Sequence, residues 1–176
     1  MRLLPLALTA VLAVGAPAAP AAAQPAPAPP ARPTDCKAAE HAQLDFWVGD
    51  WRVFNTADDV EYASSRIEKL AAGCVVRETY DAPKAPGGAY LGTSYSAFDF
   101  KDGRWHQMYV DTTGTVTWYT GAREGADMVL DAPGFQVLVR MVYRPQPDGS
   151  VRQIGTLSSD GGKSWRPGYD YTYRRR

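Results

Sequence analysis

Seven aromatic and polar side chains in the second half of the chain could together bind a small molecule. They are Tyr95, Gln107, Tyr109, Trp118, Arg140, Gln153 and Tyr171. Aromatic rings combined with a few fixed polar groups form the lining that a small amphipathic ligand requires. Arg140 inside such a lining would need a carboxylate, from the protein or from the ligand, because an unpaired buried guanidinium is costly. We therefore predict a site for a small hydrophobic or amphipathic molecule, built from these residues.

Residues that support covalent or metal chemistry are sparse. Gly92 to Ser96 lacks the second glycine of a G-x-S-x-G nucleophile elbow. His41 and His106 are the only histidines, too few for a catalytic zinc site with three protein ligands. One histidine can hold a haem, but we interpret His106 as a half-buried hydrogen-bonding residue. The sequence therefore predicts no catalytic residue, no metal site and no cofactor.

Two alternatives to a ligand carrier stay open. A hydrolase or isomerase would need a paired acid and base, such as His106 or Tyr109 with Glu78 or Asp111. A barrel filled by its own side chains would instead act as a protein-interaction module. The lumen separates the three hypotheses. A cavity with a carboxylate and histidine pair favours the enzyme, an apolar cavity favours the carrier, and a packed lumen favours the interaction module.

The charge balance excludes partners that need a basic surface. Lys and Arg total 19 and Asp and Glu total 19, for a net charge of zero. Nucleic acids and anionic membranes attract proteins through a basic field, so neither is the expected partner. The one basic cluster, Arg174 to Arg176, is interpreted either as a solvated C-terminus or as a segment with one arginine packed on the barrel end.

The N-terminus predicts export. Residues 3–14 are apolar, Arg2 precedes them, and three alanines at 21–23 offer a cleavage site. We predict a signal peptide at 1–23, an Ala/Pro-rich disordered tether at 24–35 and one domain at 36–176. The apolar run is too short to span a bilayer, and the residues before Cys36 do not fit a lipidation site, so no membrane anchor is expected. The expected location is periplasmic or secreted.

The two cysteines, Cys36 and Cys74, are predicted to form a disulfide. Paired cysteines are the default in an oxidising compartment. Two cysteines this far apart, without a CxxC motif, would form only a poor metal site. A loop of this size would contribute roughly 3–4 kcal/mol of stability on the chain-entropy model.

Turn residues recur about every ten positions after residue 46 and divide the rest of the chain into strands. Asp-Gly pairs at 102–103 and 148–149 supply the positive φ that tight hairpins need. A short helix is predicted at residues 37–44, with Asp35 as its N-terminal cap. Ten antiparallel strands are predicted near 50–56, 60–71, 74–82, 89–100, 104–112, 115–123, 126–131, 135–144, 150–159 and 164–174. A meander of this kind should close into an up-and-down barrel, since closure removes exposed edges.

Five motifs in order resemble a family of secreted bacterial calycin-like proteins of unknown function, in the superfamily of lipocalins and fatty-acid-binding proteins. They are LDFWVGDW at 44–51, GC at 73–74, GRWHQMYVD at 103–111, VRQ at 151–153 and SSDGGKSW at 158–165. The resemblance implies an all-β calycin-like barrel outside the cytoplasm, and we expect this barrel to be a monomer or a weak dimer. It also implies that Trp51 plugs the closed end with a late arginine, Arg174, over its ring. The last motif also fits the Asp-box, S-x-D-x-G-x-x-W, which we interpret as a hairpin device.

Overall fold

The computed structural model describes residues 36–134 and 136–176. The predicted signal peptide, the tether and the Asp35 cap lie outside the described residues. None of the helices in the described part of the chain is long and apolar enough to cross a bilayer.

Ten antiparallel strands form one closed barrel in which each strand pairs with its sequence neighbours and β1 closes onto β10. The prediction of an all-β, ten-stranded, up-and-down barrel is confirmed. The strands are β1 (Gly49–Asn55), β2 (Glu61–Leu70), β3 (Val75–Ala82), β4 (Tyr90–Asp99), β5 (Arg104–Asp111), β6 (Val116–Glu124), β7 (Asp127–Pro133), β8 (Leu138–Pro145), β9 (Val151–Ser158) and β10 (Arg166–Arg175).

The N-terminal helix is shorter than predicted. Two 3₁₀ helices, Ala39–Ala42 and Asp45–Trp47, replace the expected single helix. The first follows Ala38, which makes no side-chain capping bond. These helices lie at the end of the barrel that carries the β4–β5 turn, because the side chain of Gln43 accepts a 2.9 Å hydrogen bond from the Trp105 indole at the start of β5.

Trp51 closes this end of the barrel. Its side chain is fully buried, and its indole nitrogen donates a 2.8 Å hydrogen bond to the carbonyl of Trp47. The guanidinium over its ring belongs to Arg175, at 4.4 Å from the ring centroid. The prediction of Arg174 is therefore wrong by one position. Arg175 lies directly opposite Trp51 across the β1–β10 pair, and directly opposite residues share a face of the sheet.

Arg174 lies on the outer face instead. Its guanidinium stands 4.4 Å from the centroid of the Phe54 ring and pairs with Asp59 at 2.5 Å. Gly49 makes the Arg175 contact possible. It has a φ of +146°, and a Cβ there would lie 2.4 Å from the Arg175 Nη1 atom. The Gly-x-Trp motif thus leaves room for the arginine as well as turning the backbone.

The predicted disulfide is confirmed. Cys36 and Cys74 are bonded, with their Cα atoms 5.0 Å apart. The bond ties the segment before the helices to the residue that precedes β3. It therefore holds the two 3₁₀ helices, Ala39–Ala42 and Asp45–Trp47, against the barrel wall across a sequence separation of 38 residues. We call these two helices the helical plug.

Candidate functional site

The barrel encloses a cavity of about 550 Å³. Its lining includes the loop between β3 and β4, at Ala85–Ala89, and the turn between β5 and β6, at Thr112 and Thr113. In an up-and-down barrel these connections lie at the end opposite the helical plug. The cavity therefore runs from the open end of the barrel toward Tyr143 and Tyr173, whose rings pack against Trp47 and Trp51 at the closed end.

Tyrosine dominates the cavity wall. Of the ten tyrosines in the chain, all but Tyr95 line the cavity: Tyr62, Tyr80, Tyr90, Tyr109, Tyr119, Tyr143, Tyr169, Tyr171 and Tyr173. Tyr171 stacks on Tyr62 with ring centroids 5.1 Å apart and on Tyr169 at 5.5 Å. The wall therefore presents large apolar surface together with phenol hydroxyls, which can both donate and accept hydrogen bonds.

Two inward-facing glycines provide space for these rings. A Cβ on Gly92 would lie 1.9 Å from the Tyr109 hydroxyl, and a Cβ on Gly155 would lie 2.3 Å from the Tyr169 ring. Neither contact is compatible with the observed ring positions. Glycine at these two strand positions therefore lets each tyrosine lie across the neighbouring strand, which keeps the centre of the barrel open.

A buried polar network forms the floor of the cavity. The Tyr173 hydroxyl donates to Gln153 Oε1 at 2.8 Å and to Glu78 Oε1 at 3.3 Å. The Gln153 amide donates to the Tyr143 hydroxyl at 3.3 Å. The Gln107 amide donates to the Ser96 hydroxyl at 2.9 Å. Such a network fixes its members in one arrangement, because each buried polar group depends on its neighbours.

Glu78 is the ionisable group of this floor. Its side chain is on β3 and is 2% exposed. Besides Tyr173, the Ser65 hydroxyl donates to its Oε1 atom at 2.8 Å. Burial raises the pKa of Glu78 to about 7, against the smaller opposing effect of these two hydrogen bonds. The carboxyl group can therefore be neutral or charged near neutral pH.

One phenol in the cavity lacks a partner. The hydroxyl of Tyr80, a residue that is 6% exposed, has no hydrogen bond among the described residues. Tyr90, by contrast, donates to Asp111 at 3.1 Å. Because a buried hydroxyl without a partner costs free energy, Tyr80 is a position where a ligand atom could complete the hydrogen bonding.

Four of the seven predicted ligand residues line the cavity. They are Gln107, Tyr109, Gln153 and Tyr171. That they bind a ligand stays a prediction. Sequence reasoning missed the other seven cavity tyrosines, although the alternation of Tyr169, Tyr171 and Tyr173 along β10 was a usable signal for two of them.

The prediction is wrong for Tyr95, Trp118 and Arg140, which lie on the outer face. Tyr95 is 43% exposed and Trp118 is 63% exposed. Each is one position out of phase with the inward residues of its strand, such as Ser94 on β4 and Tyr119 on β6. Successive side chains of a strand point to opposite faces, so one position decides between lumen and solvent.

Arg140 makes its contacts outside the barrel. Its guanidinium forms a bidentate pair with Asp131, with both hydrogen bonds at 2.8 Å. It also lies 4.6 Å from the ring centroid of Trp165, in the β9–β10 hairpin. In that hairpin Asp160 accepts the backbone N–H groups of Lys163 and Ser164, both at 3.0 Å. The Asp-box is therefore a turn device on the surface, as interpreted from its sequence.

The histidines lie away from the cavity. His106 is on the outer face of β5, where Nε2 is 2.8 Å from Asp102 Oδ2. His106 therefore cannot pair with Glu78 in the lumen. Candidate ligand atoms of Asp99, Asp102 and His106 lie within 4.8 Å of one another in the β4–β5 turn, but both aspartates are exposed. His41 is buried among Phe98 and Phe100 beside the plug.

No family model and no curated protein matches this chain. The fold and the cavity therefore carry the functional argument.

Proposed function

We propose that this protein binds a small amphipathic molecule in the lumen of its barrel and acts outside the cytoplasm. The observation that carries the proposal is the cavity of about 550 Å³ lined by nine tyrosines over a hydrogen-bonded floor. Small-molecule sites have volumes of roughly 300–1,000 Å³ and combine apolar walls with a few placed polar groups. The tyrosine rings would enclose the apolar body, and the floor would orient the polar group.

The location rests on two features. The disulfide between Cys36 and Cys74 is of the kind that persists in oxidising compartments, and the N-terminal sequence has the pattern of a secretory signal. The closed barrel is compatible with the calycin resemblance of the five motifs. Membership of that family is part of the proposal.

The lumen favours binding over catalysis. Glu78 and Tyr109 line the same cavity, but burial raises the pKa of Tyr109 far above its usual value. A phenol in that state is a poor base at neutral pH. Among the described residues no histidine lines the cavity, so the pairs of His106 with Glu78 or Asp111 are not formed there.

Two tryptophan substitutions test the proposal. Thr117 lines the cavity on β6, whereas Thr79 is exposed on the outer face of β3. Thr117→Trp should fill part of the lumen, and Thr79→Trp is the matched control. Native mass spectrometry would be recorded for each protein as purified and after titration with propylbenzene, a neutral apolar probe.

We expect native protein and Thr79→Trp to hold one bound molecule or to bind the probe, and Thr117→Trp to lose at least tenfold in affinity. Native protein that neither carries a bound molecule as purified nor binds propylbenzene would contradict the proposal. Equal binding by folded Thr117→Trp would also contradict it, because the molecule would then lie outside the lumen.

A further inference from the structure

The charged groups that line the cavity are all acidic. They are Glu78 at the floor and Asp111 near the open end, and the described lining contains no lysine, arginine or histidine. Asp111 already accepts hydrogen bonds from Tyr90 and from Thr113. The arginine that the sequence analysis placed in the lumen, Arg140, is paired with Asp131 on the outside. A carboxylate ligand would therefore meet like charge and no counter-ion in the lumen.

Glu78 has unused hydrogen-bonding capacity toward the lumen. Ser65 and Tyr173 both donate to Oε1, and neither bond engages Oε2. Tyr80, whose hydroxyl is unpaired, is the next inward residue on the same strand. Ser94, the cross-strand neighbour of Glu78, also has a buried hydroxyl without a partner among the described residues. Three groups with unused acceptor capacity thus occupy neighbouring positions of β3 and β4, and two of them, Glu78 and Tyr80, line the cavity.

We propose that the lumen selects an organic ammonium ion, whose N–H groups donate to Glu78 and Tyr80 while its apolar body lies among the tyrosine rings. The inference rests on the proposed binding function and names the chemical class of its ligand. An ammonium group has three donors and no acceptor, which complements a carboxylate oxygen beside unpaired hydroxyls. Tyrosine rings also favour a nearby cation through their electron-rich faces.

The titratable groups that face Glu78 are tyrosines. They lie on its own strand (Tyr80), on β5 (Tyr109), on β8 (Tyr143) and on β10 (Tyr169 and Tyr173). Burial raises the pKa of each, and the charge of Glu78 adds to that effect. These phenols stay neutral at physiological pH, so Glu78 is the group of this set that titrates there. A bound ammonium would favour its charged form and release a proton.

Three probes with the same phenylethyl body separate the effect of charge from that of shape. They are phenethylammonium, propylbenzene and 3-phenylpropionate, which end in an ammonium, a methyl and a carboxylate group. Calorimetric titration at pH 8 would be recorded for native protein, Glu78→Gln and Tyr80→Phe. Glutamine keeps the size and hydrogen bonds of the glutamate and removes its charge.

We expect native protein to bind the ammonium at least tenfold more tightly than the carboxylate. Glu78→Gln should lower ammonium affinity at least tenfold and change propylbenzene affinity less than twofold, since charge-assisted hydrogen bonds contribute more than neutral ones. Tyr80→Phe should weaken ammonium binding by a smaller factor. Between pH 8 and pH 6 ammonium affinity of native protein should fall about tenfold, as Glu78 takes up a proton.

Equal affinity of native protein for the ammonium and the carboxylate would overturn the inference, as would unchanged ammonium affinity in Glu78→Gln. If propylbenzene still binds and Thr117→Trp still blocks it, only the ammonium inference fails. If no probe binds native protein, the proposed binding function fails with it.

Discussion

Removing the charge of Glu78 should make the barrel more stable at alkaline pH, by an amount that depends on pH in a defined way. The folded protein raises the pKa of this carboxyl from about 4.5 to about 7 because the group is buried. Below pH 4.5 the group is protonated in both states and has no net effect. As pH rises toward 7 the unfolded chain loses the proton and the folded chain keeps it, so native stability falls.

The size of the effect follows from that pKa difference. At about 1.4 kcal/mol per pH unit, it corresponds to a loss of about 3 kcal/mol that is complete above pH 7. Glu78→Gln has no such titration. The difference in unfolding free energy, variant minus native, should therefore rise by about 3 kcal/mol between pH 4.5 and pH 8.

Urea denaturation across this pH range, followed by tryptophan fluorescence, measures the difference directly. Protein refolded from denaturant should be used, so that a bound molecule does not mask the effect. Glu61→Gln is the matched control, because Glu61 is exposed and Arg52 lowers its pKa, which gives a pH dependence of opposite sign. A difference for Glu78→Gln that is flat with pH, or that falls as pH rises, would refute the reasoning.

Three further outcomes test the plug, the disulfide and the outer face. Trp51→Ala should lower the unfolding free energy by roughly 3–5 kcal/mol and unfold the domain. Trp118→Ala, at a side chain that is 63% exposed, should change the unfolding free energy by less than about 0.5 kcal/mol in the same urea denaturation experiment. Replacing Cys36 and Cys74 by serine should lower the unfolding free energy, measured in urea, by roughly 3–4 kcal/mol. An unchanged unfolding free energy would contradict a stabilising role for this disulfide. Arg140→Met should leave propylbenzene affinity unchanged by calorimetry, and a loss would place Arg140 in the lumen after all.

The sequence by itself determined the strands, their order and the covalent tie. Each of the ten observed strands lies within a few residues of its predicted range, because Gly, Pro and Asp mark turns through local backbone preferences. The disulfide followed from the only two cysteines and the expected compartment. The turns depend on nearest neighbours along the chain, which a sequence displays directly, and the disulfide had no other possible pairing.

The facing of side chains was only partly predictable. Met141 and Tyr143 alternate along β8, and both line the cavity, which places the intervening residues outside. Arg140 is out of phase with this pattern. It was nevertheless predicted to line the lumen, because its charge could pair with the carboxylate of an acidic ligand. A β-bulge between Pro167 and Tyr169 also shifts the phase in β10. The sequence shows which residues of a strand share a face. Which of the two faces points into the lumen is set by the register with neighbouring strands.

Only the tertiary structure decided the chemistry of the site. Glu78, on β3, meets Ser65 from β2 and Tyr173 from β10 because closure of the barrel brings strands from both ends of the sequence together. The same closure buries the carboxyl, and burial is what raises its pKa. Residue identity supplies an acid, whereas the surrounding strands remove water from it and set its protonation near neutral pH.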